Sequence, residues 1–221
     1  MRSYGTRRWQ LEAAIFLLAS ALFGSTPAMA KEPRFFLSLG PGHVSYRPAK
    51  EISTPSGVVP GAGARVVPHA SVILDSGMYI ADNWSVAVSS GLPPTIRIRG
   101  TGTTAGLGEL GKATYGSTIL LLQRQIPIKG VGSAYIGAGP VYSIIFSTKG
   151  VSAEKLHLSD ELGFALQAGS VFHLDRNYGV FVDVKKTFIR SRTEMVIGQV
   201  RYTSSSHPSP LTIAGGLSYR F

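Results

Sequence analysis

Five ionisable residues, Asp75, Glu161, Asp183, Lys185 and Arg220, fall on one parity of segments whose other parity is apolar. Successive strand side chains point to opposite faces, so these charges share the inner face of whatever surface the segments build. An unpaired charge removed from water is costly, so they are expected to pair. Two roles suit such a set: a fixed plug of salt bridges, or a gate whose pairs exchange partners. Nucleophilic chemistry has a weaker signature. His69-x-Ser71, His157-x-Ser159 and His207-x-Ser209 share one spacing, but none has a carboxylate where a catalytic triad needs it, although Glu161 follows Ser159 by two residues. Three such pairs in a Ser-rich chain point to chance, and an enzyme is not expected. The five His are scattered, so no metal site is argued. The pairs Gly61/Gly63 and Gly137/Gly139 lack the strand–turn–helix setting of a nucleotide site. No cofactor is expected.

The segments that carry these residues alternate along the chain. From Pro210 to Phe221, Leu211, Ile213, Leu217, Tyr219 and Phe221 take one parity, and small or polar residues take the other. Seven more segments behave alike, at about Arg34–Tyr46, Val67–Ile80, Trp84–Arg99, Lys112–Gln125, Ser133–Thr148, Ser159–Leu174 and Tyr178–Arg192. Short turns at Ala81–Asn83, Ile126–Gly132 and Asp175–Asn177 alternate with longer connections at Pro48–Val66, Gly100–Gly111, Lys149–Leu158 and Thr193–Ser209. That asymmetry is the mark of a bacterial outer-membrane barrel. The expected fold is all-β: an eight-stranded antiparallel transmembrane β-barrel with periplasmic termini and four extracellular loops. A soluble sandwich or lipocalin-like barrel would show the same alternation with the apolar parity inward.

The N-terminus favours the membrane alternative. Arg2, Arg7 and Arg8 precede the apolar run Ala13–Phe23, and Ala28-Met29-Ala30 follows. This is the pattern of a secretory signal peptide over residues 1–30, leaving 31–221 as one barrel domain. The run is too short to span a bilayer, which takes about 20 residues. The chain has no cysteine, which excludes disulfide and thiol chemistry. Its net charge is +10 at pH 7. Export and the dispersal of the basic residues argue against nucleic acid as the partner.

Several ordered motifs are similar to the OmpW family of small outer-membrane channels. They are Asn83-Trp84 with Leu92-Pro93-Pro94-Thr95, Gly116-Ser117-Thr118 leading into Leu120-Leu121-Leu122-Gln123, and Ala134-Tyr135-Ile136-Gly137-Ala138-Gly139. Leu162-Gly163-Phe164-Ala165 with Gln167-Ala168-Gly169, and the ending Gly215 to Phe221, fit as well. The resemblance spans the chain after residue 30. It implies a narrow, largely hydrophobic lumen and passage of small hydrophobic molecules. The terminal Phe221 resembles the aromatic recognised by the barrel-assembly machinery.

An eight-stranded barrel is just wide enough to be filled by its own side chains. Phe36, Ile119, Leu121, Val141 and Ile145 lie on parities that turn inward and make much of the wall apolar. Pro93, Pro94 and Pro140 lie inside expected strands, although proline cannot donate to a ladder. They predict a break in the wall beside the fourth strand, through which a hydrophobic ligand leaves sideways into the membrane; alternatively they end strands above the lipid. Arg97, Arg99, Lys149, Lys155, Arg190, Arg192 and Arg201 map to the extracellular rim, where lipopolysaccharide phosphates are the expected partner. Trp84, Tyr178 and Tyr219 fit a periplasmic aromatic girdle. Two other functions stay open. One is a structural or adhesive surface barrel acting through loops such as Pro48–Val66. The other, less favoured, is a lipid A-modifying hydrolase, which the His-x-Ser pairs resemble.

Overall fold

The computed structural model describes residues 35–49, 52–197 and 200–221. The expected signal peptide lies outside the described residues. Fifteen strands follow in order: β1 (Phe35–Ser45), β2 (Ser53–Thr54), β3 (Gly57–Val58), β4 (Ala62–Val66), β5 (His69–Ala81), β6 (Trp84–Gly91), β7 (Thr95–Gly102), β8 (Glu109–Ile128), β9 (Gly132–Gly150), β10 (Lys155–Leu158), β11 (Glu161–His173), β12 (Tyr178–Ile189), β13 (Ser191–Ile197), β14 (Val200–Ser206) and β15 (Leu211–Arg220). A 3-10 turn spans Ala105–Leu107.

The strands close into an eight-walled antiparallel barrel. β1 pairs with β5 on one side and with β15 on the other, in register Leu39↔Leu217, and β15 continues to β12. The circuit runs on through β11, β9 and β8 to a third wall made of β6 and β7 in succession. Tight turns at 82–83, 129–131 and 174–177 mark the periplasmic end. At the last of these, the backbone N–H groups of Tyr178 and Asn177 donate to Asp175 Oδ1 at 2.7 and 2.8 Å and hold its carboxyl below the usual aspartate range.

Side-chain parity decides what faces lipid. Leu39, Leu122, Ile136, Phe164, Val182 and Leu217 are exposed on the outside. Such a continuous apolar girdle is stable only against hydrocarbon. The periplasmic rim of the belt is aromatic: Tyr178 and Tyr219 meet at a tilt with centroids 4.9 Å apart, Tyr219 meets Phe221 at 4.8 Å, and Arg124 lies 5.3 Å over Trp84. The Phe221 N–H donates to the Phe35 carbonyl at 2.9 Å, extending the closing seam. At that seam a Cβ on Gly40 would collide with the Gly215 carbonyl, so the two strands approach where only glycine fits.

The extracellular side departs from expectation. The four long connections are folded rather than irregular. β10, β13, β14, β2 and β3 form a second, five-stranded sheet, and β4 extends β7. Ile52, Ala62, Leu110, Ala153, Leu156 and Met195 bury together there. Each connection supplies only one to three buried apolar residues, too few to show periodicity; their core exists only when several connections meet. The expected third strand, about Trp84–Arg99, is also interrupted, between Gly91 and Thr95.

Candidate functional site: a plugged lumen beside a break in the wall

The lumen is closed at mid-height by side chains. Asp75, Asp183 and Lys185 come together there. Lys185 Nζ donates to Asp75 Oδ2 at 2.8 Å and to Asp183 Oδ1 at 2.6 Å, and all three residues are buried. Neutral polar groups that the sequence did not flag extend the layer. Tyr135 Oη and Gln167 Nε2 donate to Asp183 Oδ2 at 2.9 and 2.6 Å. Gln123 Nε2 donates to Gln167 Oε1, while Ser85 Oγ donates to Gln123 Oε1. Two carboxylates share one ammonium, so donors such as Tyr135 and Gln167 are needed to satisfy the charge that Lys185 alone cannot balance.

The other two expected members of the network sit elsewhere. Arg220 points inward at the periplasmic mouth, 2.9 Å from His173 Nε2 and 5.4 Å above the Tyr79 ring. Glu161 is buried in the upper lumen with Ser191 as its hydrogen-bond partner. Parity gave both the correct face, but it carries no information on height along the barrel.

Packed with the polar layer is an apolar one. Ile119, Leu121 and Val141 bury with Ala87, Ala165 and Ile189, and Phe36 packs against them. Ile145 is buried higher, in the wall of the upper lumen. Above these layers lies a cavity of about 160 Å³, and below them one of about 30 Å³. Lys185 lines the upper cavity and Asp75 the lower, so the ion pairs stand between the two.

The upper cavity is bounded by Ile73, Ile96, Ile98, Ile119 and Ile145, with an aromatic group across it. The hydroxyls of Tyr46 and Tyr115 hydrogen-bond to each other, and the His69 ring stacks on Tyr46 at 5.9 Å and meets Tyr115 edge-on at 6.5 Å. Sequence reasoning met His69 only as half of a His-x-Ser pair and missed the trio, because each member lies at a strand end or beside a bulge, where alternation is hardest to follow. Among the His-x-Ser pairs, Ser71 Oγ donates to the Leu92 carbonyl at 3.0 Å while His69 stacks on tyrosine.

Beside this cavity the wall is broken. β6 pairs with β8 from Trp84↔Arg124 up to Ser89↔Ile119, and pairing resumes at Thr95↔Thr114 on β7. Between these pairs run Ser90–Pro94 on one edge and Tyr115–Thr118 on the other. Proline has no N–H to offer the ladder, and two in succession at Pro93 and Pro94 end β6. Ser90, Gly91, Leu92, Pro94, Gly116 and Ser117 line the cavity. Leu92, one of these lining residues, is also 65 % exposed. Pro140 belongs to a different edge. It is exposed in mid-β9, where the ladder to β8 skips from Ile119↔Val141 to Leu122↔Ala138. Pairing of β9 with β11 continues unbroken past Pro140.

The rim cations spread over several surfaces. Arg97 and Arg99 project outward from β7, Lys149 from the end of β9, and Arg190 and Arg201 are exposed farther round. The side chains of Lys155 and Arg192 lie outside what the structure describes.

A closed eight-stranded antiparallel barrel with an apolar belt, an aromatic periplasmic rim and a side-chain-filled lumen defines a small protein of the bacterial outer membrane. The chain belongs to the OmpW family, whose model matches residues 31–221. Among relatives, it is 28% identical over 184 residues to the dibenzothiophene metabolism operon protein PahQ of Pseudomonas aeruginosa, covering 83% of this chain and 84% of that one. Among solved structures, its fold is similar to the outer membrane protein OprG of Pseudomonas aeruginosa, with TM-score 0.78, 20% identity and coverage of 86% and 97% of the two chains. It is also similar to the outer membrane protein AlkL in lipid bilayers, with TM-score 0.68, 19% identity and coverage of 89% and 94%.

Proposed function

We propose that the barrel takes up small hydrophobic molecules at its extracellular mouth and releases them sideways, through the break between β6/β7 and β8, into the membrane. The observation that carries this reading is the placement of the gap in pairing: its edges line the upper cavity just above the polar plug. A solute entering from outside meets the Asp75–Lys185–Asp183 layer ahead and the unpaired wall to one side. Displacing the plug would strand buried charges, whereas leaving sideways moves an apolar solute from an apolar cavity into hydrocarbon.

Size and chemistry narrow the passenger. A dry cavity of about 150 Å³ accepts benzene, and the upper cavity is of that order. The Tyr46–His69–Tyr115 group offers aromatic faces and hydroxyls, which suits an aromatic molecule with few polar atoms. The name of the relative PahQ, tied to dibenzothiophene metabolism, supports the same class. Transport and not catalysis is the role assigned to the His-x-Ser positions and to Glu161.

Uptake of a fluorescent polycyclic aromatic into proteoliposomes tests the route. The Pro93→Val/Pro94→Val variant should lose most of the protein-dependent uptake. Asp183→Asn, which weakens the plug, should leave uptake close to wild type. Raised uptake in Asp183→Asn with no change in the proline variant would mean that solutes pass straight down the lumen.

A further inference from the structure

The outer face above the break carries cations in direct register. On four adjacent strands, Arg65 of β4 lies opposite Arg99 of β7, Arg97 of β7 opposite Lys112 of β8, and Lys112 opposite Lys149 of β9. Like charges directly opposite on neighbouring strands repel. One carboxylate lies among these five cations: Glu109, opposite Arg99 and 3.6 Å from Lys112 Nζ. Beneath the cations is a row of hydroxyls, Thr95 opposite Thr114 with their oxygens 2.8 Å apart, and Ser147 opposite Thr114. Below that row come the exposed apolar side chains Leu92 and Tyr142.

Height fits the same picture. Arg124, opposite Trp84, marks the periplasmic edge of the belt, and Lys112 lies twelve residues up the same strand. At about 3.3 Å per residue and a tilt of about 40°, that is about 30 Å along the membrane normal, against an apolar band about 25 Å tall. The cations therefore stand at the headgroup level of the outer leaflet. Arg and Lys bind phosphate through charge-assisted hydrogen bonds, the hydroxyls supply further donors, and the apolar wall below accepts acyl chains.

We propose that this patch is a specific site for the phosphorylated glucosamine headgroup of the outer-leaflet glycolipid, with Arg97, Lys112 and Lys149 as its central row. Neither Arg65 nor Lys112 was marked by the sequence; strand register brings them in. Arg97 and Lys112 lie three residues above Pro94 and Tyr115, the upper edge of the break. A bound glycolipid thus lays its acyl chains beside the opening. Arg190 and Arg201 belong to no such row; Arg201 faces Val196.

Titration of the purified protein in nanodiscs with diphosphoryl lipid A, read by native mass spectrometry, tests the site. Arg97→Gln/Lys112→Gln/Lys149→Gln should weaken binding by about tenfold or more for each contact removed. Arg190→Gln/Arg201→Gln should bind as wild type. All variants are surface changes, and a heat-modifiable band on gels confirms that each is folded. Dephosphorylated lipid A should bind weakly, and millimolar inorganic phosphate should not displace the lipid. The site is refuted if the triple variant binds as wild type, if the control pair loses as much affinity, if dephosphorylated lipid A binds equally, or if free phosphate competes fully.

Discussion

The Tyr115 N–H donates to the Pro94 carbonyl at 3.3 Å, and among the described residues this one long backbone bond spans the opening between the paired stretches of β6/β7 and β8. A membrane strand normally pairs every backbone group. The β8 groups facing Ser90–Pro94 are left to side chains, water or a passing solute.

Amide exchange should therefore be uneven along β8. In micelles, Gly116–Thr118 should exchange faster than Leu120–Gln123 on the same strand, as followed by NMR. Pro93→Val/Pro94→Val restores two donors and should slow exchange at the opening. Equal protection at both stretches in the wild type would remove the opening.

The plug should respond to single and combined substitutions in opposite ways. Lys185→Met leaves Asp75 and Asp183 buried without their cation and should cost about 3–5 kcal/mol. Asp75→Leu/Lys185→Met/Asp183→Asn removes all three charges while leaving Tyr135 and Gln167 an amide oxygen to bond, and it should recover most of that loss. Urea unfolding in lipid vesicles measures both. A triple variant as unstable as Lys185→Met would show that the charges stabilise the lumen by more than mutual neutralisation.

Neighbouring leucines on β8 should separate cleanly. Leu121 is fully buried in the lumen and Leu122 is 49 % exposed on the lipid face. Leu121→Ala should cost about 2–5 kcal/mol through the void it leaves. Leu122→Ala loses contacts that lipid replaces, and its unfolding midpoint should stay near wild type.

The turn 174–177 should carry a pH signature. Hydrogen bonds from Tyr178 and Asn177 lower the Asp175 pKa in the folded protein. A lowered carboxylate pKa contributes stability that is present above the unfolded value and lost as pH falls through the folded value. The Asn177 and Tyr178 amide shifts should titrate together below the ordinary aspartate range. In Asp175→Ala that titration should vanish and both amides should exchange faster.

Much of this protein was legible because alternation maps directly onto the two faces of a barrel wall. The membrane belt, the inward Asp75, Asp183 and Lys185, and the interruption at Pro93–Pro94 all follow from parity or from the missing proline donor. Three features were hidden for physical reasons. Gln123 and Gln167 are neutral amides, and nothing in their type signals burial in a polar layer. Arg220 faces inward but stands at the periplasmic mouth, away from the plug, and parity is blind to position along the barrel. The row of Arg97, Lys112 and Lys149 depends on which residues stand opposite one another, and a bulge near Phe146 sets that register.

The extracellular sheet also joins the two ends of the chain. Ser53 of β2 pairs with Thr203 of β14, and the Arg47 N–H donates to the Pro208 carbonyl at 2.8 Å. Both contacts bridge the β1–β15 seam and link residues far apart in sequence, and pairing of that kind is slow to form. The surface layer over the seam is complete only where β1 and β15 stand side by side. An antibody that binds β2 and β14 together would mark finished molecules and pass over every earlier folding state.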